Sequence, residues 1–402
     1  MRSGRTSIIA AVCLIFAVTA KGGDLPFETQ FIWDFFKASF DERHNLITAP
    51  FMVRMGMTLM TSAVNDRYTQ RQLRSKLHLQ DSVTKTSESY RRQLAALSRS
   101  DNIRFGTKVI TIGTDEFNPA FLAGTRYFNA SIEKYPHLNA TFVSGVANRW
   151  VEQVTSGMVR RVLLPRELHS NIRLLLLNAV AFQGKWKYAF DVDKTRVEQF
   201  HTGDEANRYH TEMMNLPDNF LKTGLYEPLK ATGLVLPFKD ESDLSLLVIM
   251  PQQQNGNLTQ MVKGLNQSSF VALLGDMQSE KVQVKLPRFS FSNHLNVNAI
   301  FRNLHLNAPF EWSVFQVFKK SRLVLDRVKH GVSIEFQERG VRAAAASGFS
   351  VTTRSVPQIF FANRPFVYVI FKRSTHFPLF LGSFVHPLGS SSSSFFKHVN
   401  NS

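Results

Sequence analysis

Cysteine is nearly absent. The single one, Cys13, lies in the first twenty residues, so the rest of the chain has neither a disulfide framework nor a thiolate metal site. It must be held together by its core alone. Acid is also scarce: 31 Asp and Glu against 48 Lys and Arg leave a formal charge of +17, which favours acidic partners. Catalytic grammar is missing as well. The chain has no H-E-x-x-H, no G-x-S-x-G, no phosphate-binding glycine loop and no dinucleotide fingerprint, and its 12 histidines show no metal-ligand spacing. No catalytic residue, metal or cofactor is therefore expected.

What is present begins with a leader. Arg2 and Arg5 precede the apolar run Ile8–Val18, which ends in Val18-Thr19-Ala20; this is the pattern of a signal peptide spanning residues 1–20. The run is about half of the ~20 residues a membrane span needs, so no membrane anchor is expected and the protein is read as secreted. Glycosylation sequons at Asn129, Asn139, Asn257, Asn266 and Asn400 suit that compartment. Residues 389–402, with five consecutive serines, read as a flexible tail. Between leader and tail, 44% hydrophobic content and 35 phenylalanines supply one large core, expected as a single domain over residues 21–388.

Patterning predicts an α+β chain. Phe27, Phe31 and Phe35 recur every four residues, and the Met-rich stretch from Pro50 to Val64 reads as a buried helix. Further helices are expected at 81–98 and 144–157. Strands are expected at 108–113, 172–182, 233–238, 244–250, 281–286, 322–336 and 366–384. One set of motifs mimics an enzyme: Ser82-x-x-Lys85, Ser100-Asp101-Asn102 and Lys222-Thr223-Gly224 follow the order of a class A β-lactamase. Each has only two or three fixed residues, and the first two lie too close together for such a site.

The most informative stretch runs from Glu338 to Pro357. From Val341 every second residue is small or apolar (Val341, Ala343, Ala345, Ser347, Phe349, Val351), the period of a strand with one buried face. Yet Ala343, Ala344, Ala345 and Ala346 have poor strand propensity. A segment patterned for a sheet but not bound to it is a candidate switch.

With Glu338-x-Gly340-Val341 ahead of the alanines, this stretch resembles the hinge of the serpins, inhibitors of serine proteases with a mobile reactive loop. The resemblance extends from about Phe27 to Pro387. It includes Asn45 to Pro50, Asn148-Arg149-Trp150-Val151-Glu152 with Thr155 and Gly157, Asn178 through Gly184-Lys185-Trp186, Leu286-Pro287-Arg288-Phe289, and Asn363-Arg364-Pro365-Phe366. It implies helices packed around a large central sheet with smaller sheets, and an exposed reactive-centre loop at about 338–358.

The resemblance also implies a function: a secreted suicide-substrate inhibitor, not an enzyme. The spacing from Glu338 places the scissile bond at Arg354-Ser355, and Arg354 is the only basic residue between Ala343 and Asn363. Arginine there implies a trypsin-like protease as the covalent partner, met by a monomer. The hinge would comprise Glu338, Gly340, Val341, Ala343 to Ala346 and Ser347, and the region where the sheet opens would include Asn178, Trp186 and His330. Two family serines near that opening are replaced by Ala49 and Met52. Lys85, Arg91, Arg92 and Arg99 fall on or near the helix that binds heparin in activated relatives, so a glycosaminoglycan partner is expected and nucleic acid is not. The alternative is a non-inhibitory carrier with the same fold.

Overall fold

The computed structural model describes residues 28–79, 83–202, 209–239, 243–339 and 358–387. The expected leader, the hinge beyond Arg339, the bond Arg354-Ser355, Ser82, Asn400 and the tail lie outside these residues. Ten α-helices are described: α1 (Glu28–Ser39), α2 (Pro50–Thr61), α3 (Arg67–Lys76), α4 (Val83–Leu97), α5 (Pro119–Tyr127), α6 (Ala140–Val154), α7 (Leu258–Gly264), α8 (Gln267–Asp276), α9 (Val297–Asn303) and α10 (Ala308–Glu311). The strands are β1 (Leu46–Thr48), β2 (Ile103–Ile112), β3 (Ala130–Tyr135), β4 (Leu174–Gln183), β5 (Asp191–Phe200), β6 (Tyr209–Tyr226), β7 (Ala231–Pro237), β8 (Leu244–Pro251), β9 (Gln278–Pro287), β10 (Phe289–Asn296), β11 (Arg327–Phe336), β12 (Gln358–Phe361), β13 (Phe366–Lys372) and β14 (Phe377–Phe384).

They form two sheets among the described residues. One has five strands in the order β10-β11-β4-β2-β3, and the other nine, along the path β1-β14-β13-β8-β7-β6-β9-β12 with β5 paired to β6. The smaller sheets that the resemblance implies are thus joined into the larger one by strand count. The cause is β6: its first half pairs with β5, its second half with β7, and β9 runs along both. Its register with β9 shifts between Leu216 and Asn219, where Pro217 has no N–H to give to a ladder.

At the centre of the five-stranded sheet, β4 and β11 pair in parallel without a break, from Arg327 opposite Leu175 to Glu335 opposite Gln183. Strand β4 is apolar on both faces, and the two-residue period divides it between two cores. Leu174, Leu176, Val180 and Phe182 join the main core, whereas Leu175, Leu177 and Ala179 join a second one with Val143, Ala147 and Val151 of α6. On the main-core side lies α2, buried along all twelve residues. Pro50 starts it with φ already set, and the unbranched Met52, Met55, Met57 and Met60 fill the irregular space beneath.

Several boundaries differ from expectation. Helix α6 starts four residues earlier than predicted because the Asn139 side chain caps it, accepting from the Phe142 N–H at 3.0 Å. Helix α2 does start at Pro50 as expected, and residues 45–50 lead into it through a short strand, β1, against β14. Residues 366–384 are the hairpin β13–β14, turned at residues 373–376. Strands β3, β5 and β6 carry no strong sequence signal because each leaves many side chains in solvent, whereas β10 does alternate, with Phe289, Phe291 and Leu295 on its more buried face, and was legible.

Candidate functional site

The site is built at the end of β11, where the chain leaves the five-stranded sheet. Trp186, in the turn after β4, holds that exit twice: its backbone N–H donates to Arg339 O at 3.0 Å and its indole Nε1 to Gln337 O at 2.6 Å. The ring is fixed by stacking on Phe238 (centroids 4.8 Å apart) and packing on Phe336 (5.3 Å). Gly184 is required here by space alone, since a Cβ would lie 2.4 Å from Phe238 Cε1. Glu338 points inward and is 6% exposed. Thr195 Oγ1 of β5 donates to its Oε1 at 2.8 Å, and Arg288 Nε stands 3.8 Å from Oε2. The first residue of the expected hinge is therefore a buried carboxylate held from the middle of β5 and from the junction of β9 and β10. Arg288 lies in the motif Leu286 to Phe289, which did not reveal its partner, and Thr195 carried no functional signal in the sequence.

A second centre lies lower in the same sheet. Asn178 of β4 and His330 of β11 are direct partners in the parallel register, both fully buried toward α2. His330 Nε2 accepts from the Ala49 N–H at 3.1 Å, which anchors the start of α2 to the seam. Asn178 Oδ1 accepts from Thr107 Oγ1 of β2 at 3.0 Å. The remaining polar atoms, Asn178 Nδ2 and His330 Nδ1, have no hydrogen-bond partner among the described residues. Ala49 and the buried Met52 carry no side-chain acceptor where the resemblance implies serines. With Nε2 accepting, the neutral ring carries its proton on Nδ1, so both orphans are donors, each costing about 1–3 kcal/mol.

Burial holds the His330 imidazolium pKa down to about 3. A histidine that titrates near 6.5 when unfolded and near 3 when folded contributes stability that is complete above pH 6.5 and lost as the pH falls toward 3. Between pH 6.5 and 5, above the carboxylate range, His330 is expected to cost the fold about 1.4 kcal/mol per pH unit at the steep end. Denaturant unfolding of the parent and of His330→Gln across that window tests this. The variant should lose one proton's worth of slope, and an unchanged slope would contradict the assignment.

The remaining expected residues are placed as follows. Lys85, Arg91, Arg92 and Arg99 are all exposed, on α4 or just beyond it, opposite its buried Tyr90 and Leu94. Glu88 lies on the same stripe, three residues after Lys85 and four before Arg92, and lowers its charge. Asn129, Asn139 and Asn257 are exposed; Asn266 is half-buried. Asn139, Asn257 and Asn266 are helix N-caps, so their identity has a structural reason besides any glycan. The β-lactamase-like residues fall on separate elements: Lys85 on α4, the buried Ser100 beyond it, and Lys222 on β6 of the other sheet. Sequence reading missed Arg54, fully buried in α2, which donates through Nε to Leu77 O (2.8 Å) and through Nη2 to His78 O (3.2 Å), with Nη1 on the Tyr90 hydroxyl.

Comparison with known proteins places this fold in a family. The family model Serpin (serine protease inhibitor) matches residues 27–387. The chain belongs to the serpin family. Among curated serpins, Serpin-ZXA of Oryza sativa subsp. japonica is 27% identical over 86% of this chain and 90% of its own length. Serpin B6 of Macaca fascicularis is 30% identical over 76% of this chain and 79% of its own. Among solved serpin structures, SRPN18 of Anopheles gambiae aligns with a TM-score of 0.80 at 20% identity, over 90% of this chain and 97% of that one. Uncleaved ovalbumin aligns at 0.79 and 21%, over 90% and 98%. These establish the α+β serpin fold.

Proposed function

We propose that this serpin is a secreted suicide-substrate inhibitor of trypsin-like serine proteases, cleaved after Arg354. The observation that carries the reading is the clasped exit of the chain at Glu338, directly above the parallel β4–β11 pair. A loop leaving the end of β11 and turning back between those strands would run antiparallel to both. Two ladders would replace one. For ~10 net backbone hydrogen bonds at ~0.5–1.5 kcal/mol each, insertion returns about 5–15 kcal/mol, as much as an ordinary domain's whole stability. The four alanines at Ala343 to Ala346 suit entry, being small and uncharged. Arg354 supplies a guanidinium for the carboxylate at the base of a trypsin-like specificity pocket.

Other partners follow from charge. The mature chain, without Arg2 and Arg5, keeps a formal charge of +15, and an anionic polysaccharide on Lys85, Arg91, Arg92 and Arg99 is part of the same reading. One observation favours the carrier alternative: Ala49 and Met52 leave the Asn178–His330 pair under-satisfied, which alters the balance that governs opening. A denaturing gel of the protein mixed with trypsin decides between them. A stable band at the summed mass supports the trap, whereas cleavage at Arg354 without such a band supports the carrier.

A further inference from the structure

Strand β5 is an open edge. It pairs with β6 alone, so its far side meets no strand among the described residues. Such an edge presents unpaired N–H and C=O groups and invites another segment to add to it. Arg196 answers the first half of β5 from within, its Nη1 donating to Asp193 O and Thr195 O at 2.8 Å each. No side chain among the described residues does the same for the backbone of residues 197–199. Val197 is 68% exposed and Val192 55%, so two β-branched side chains of this strand stand in water.

The chain carries a segment suited to that edge. After Pro387 come Leu388, Gly389 and five serines, then Phe395-Phe396-Lys397-His398-Val399. The small polar residues have the composition of a spacer, and the two aromatics and the valine that of a strand. The spacer also starts in the right place. His386 stacks on Tyr209 with ring centroids 6.5 Å apart, and Tyr209 is the direct partner of Phe200 at the end of β5. Val197 lies three residues back along that strand, which puts the open half of the edge roughly 15–20 Å from Pro387. A Gly/Ser-rich spacer over residues 388–395 spans at most about 26–29 Å and on average about 14–17 Å, which matches the gap. A segment arriving from the Phe200 end runs antiparallel to β5, the same pairing that β5 makes with β6.

We propose that residues 395–399 of the chain's own tail add to the free edge of β5 as a strand. Phe395 and Phe396 then point to opposite faces, and one of them covers Val197. The tail is the occupant in preference to a second copy because a spacer of matching span holds it near the edge at about millimolar effective concentration. The contact does not depend on the inhibitory reading.

Hydrogen exchange of the full chain, read by mass spectrometry at low protein concentration, tests the contact. Fragments covering residues 192–200 and 395–399 should both hold slowly exchanging amides in the parent, and those amides should exchange about tenfold or more faster in Phe395→Ser/Phe396→Ser. Phe395→Tyr/Phe396→Tyr, which keeps the rings, should exchange as the parent does. A synthetic peptide of residues 389–402 should bind the double serine variant, whose edge is open, and not the parent, whose own tail competes from its tether. Equal exchange in the parent and the double serine variant would overturn the proposal, as would equal binding of the peptide to both. Protection of residues 192–200 that rises with protein concentration, together with a dimer in light scattering, would assign the edge to a second copy and overturn the tail.

Discussion

Arg354→Ala is expected to abolish measurable inhibition of trypsin. The guanidinium would enter a pocket whose carboxylate is desolvated in the complex, and removing one partner of such a pair costs about 2–5 kcal/mol, or roughly 30- to 5,000-fold in the rate of inhibition. Alanine cannot replace it. Arg354→Phe should instead move preference to chymotrypsin-like enzymes, whose pocket is apolar. The second-order rate constants of both variants with trypsin and chymotrypsin measure the effect, and a parental trypsin rate for the alanine variant would remove Arg354 from the scissile position.

Val341→Arg should separate cleavage from trapping. Val341 stands three residues beyond the clasped Glu338 and would be among the first side chains to pass into the sheet. Burying valine there returns about 1.5–3 kcal/mol, whereas an unpaired guanidinium would have to leave water for an apolar layer at a cost exceeding that gain. Insertion would stall while the acyl bond hydrolyses. The variant should be cut after Arg354 as fast as the parent, release active protease, and show no rise in thermal midpoint after cleavage. Trapping at parental stoichiometry would mean that the loop does not insert in this register.

The legible parts of the fold were those with a strong local period. Phe31 and Phe35 of α1, the methionines of α2 and the doubly apolar β4 are where the spacing predicts. Helix α6 was misplaced because Asn139 was read only as a sequon, although an asparagine three residues ahead of a free N–H is equally a cap. Strand β6 escaped because Pro217 and Asp218 interrupt it and much of its length is exposed. The pairings that make the site were not legible at all. Thr195 and Arg288 reach Glu338 from far along the chain; no neighbour marks Thr195, and the motif around Arg288 does not say which carboxylate it meets.

By itself the sequence determined what depends on local pattern and motif spacing: a chain without cysteine beyond Cys13, and the ordered motifs that placed it among the serpins. Only the tertiary structure decided which polar groups meet. It set Asn178 opposite His330 with two donors unanswered among the described residues, buried Arg54 in α2 against α4, turned Glu338 inward, and brought Val159 and Val162 against Gly331 of β11. The reason is that burial of a polar side chain is tolerated only if distant elements bring it partners, and those partners are selected by packing and register, which leave no trace in the spacing of residues along one segment.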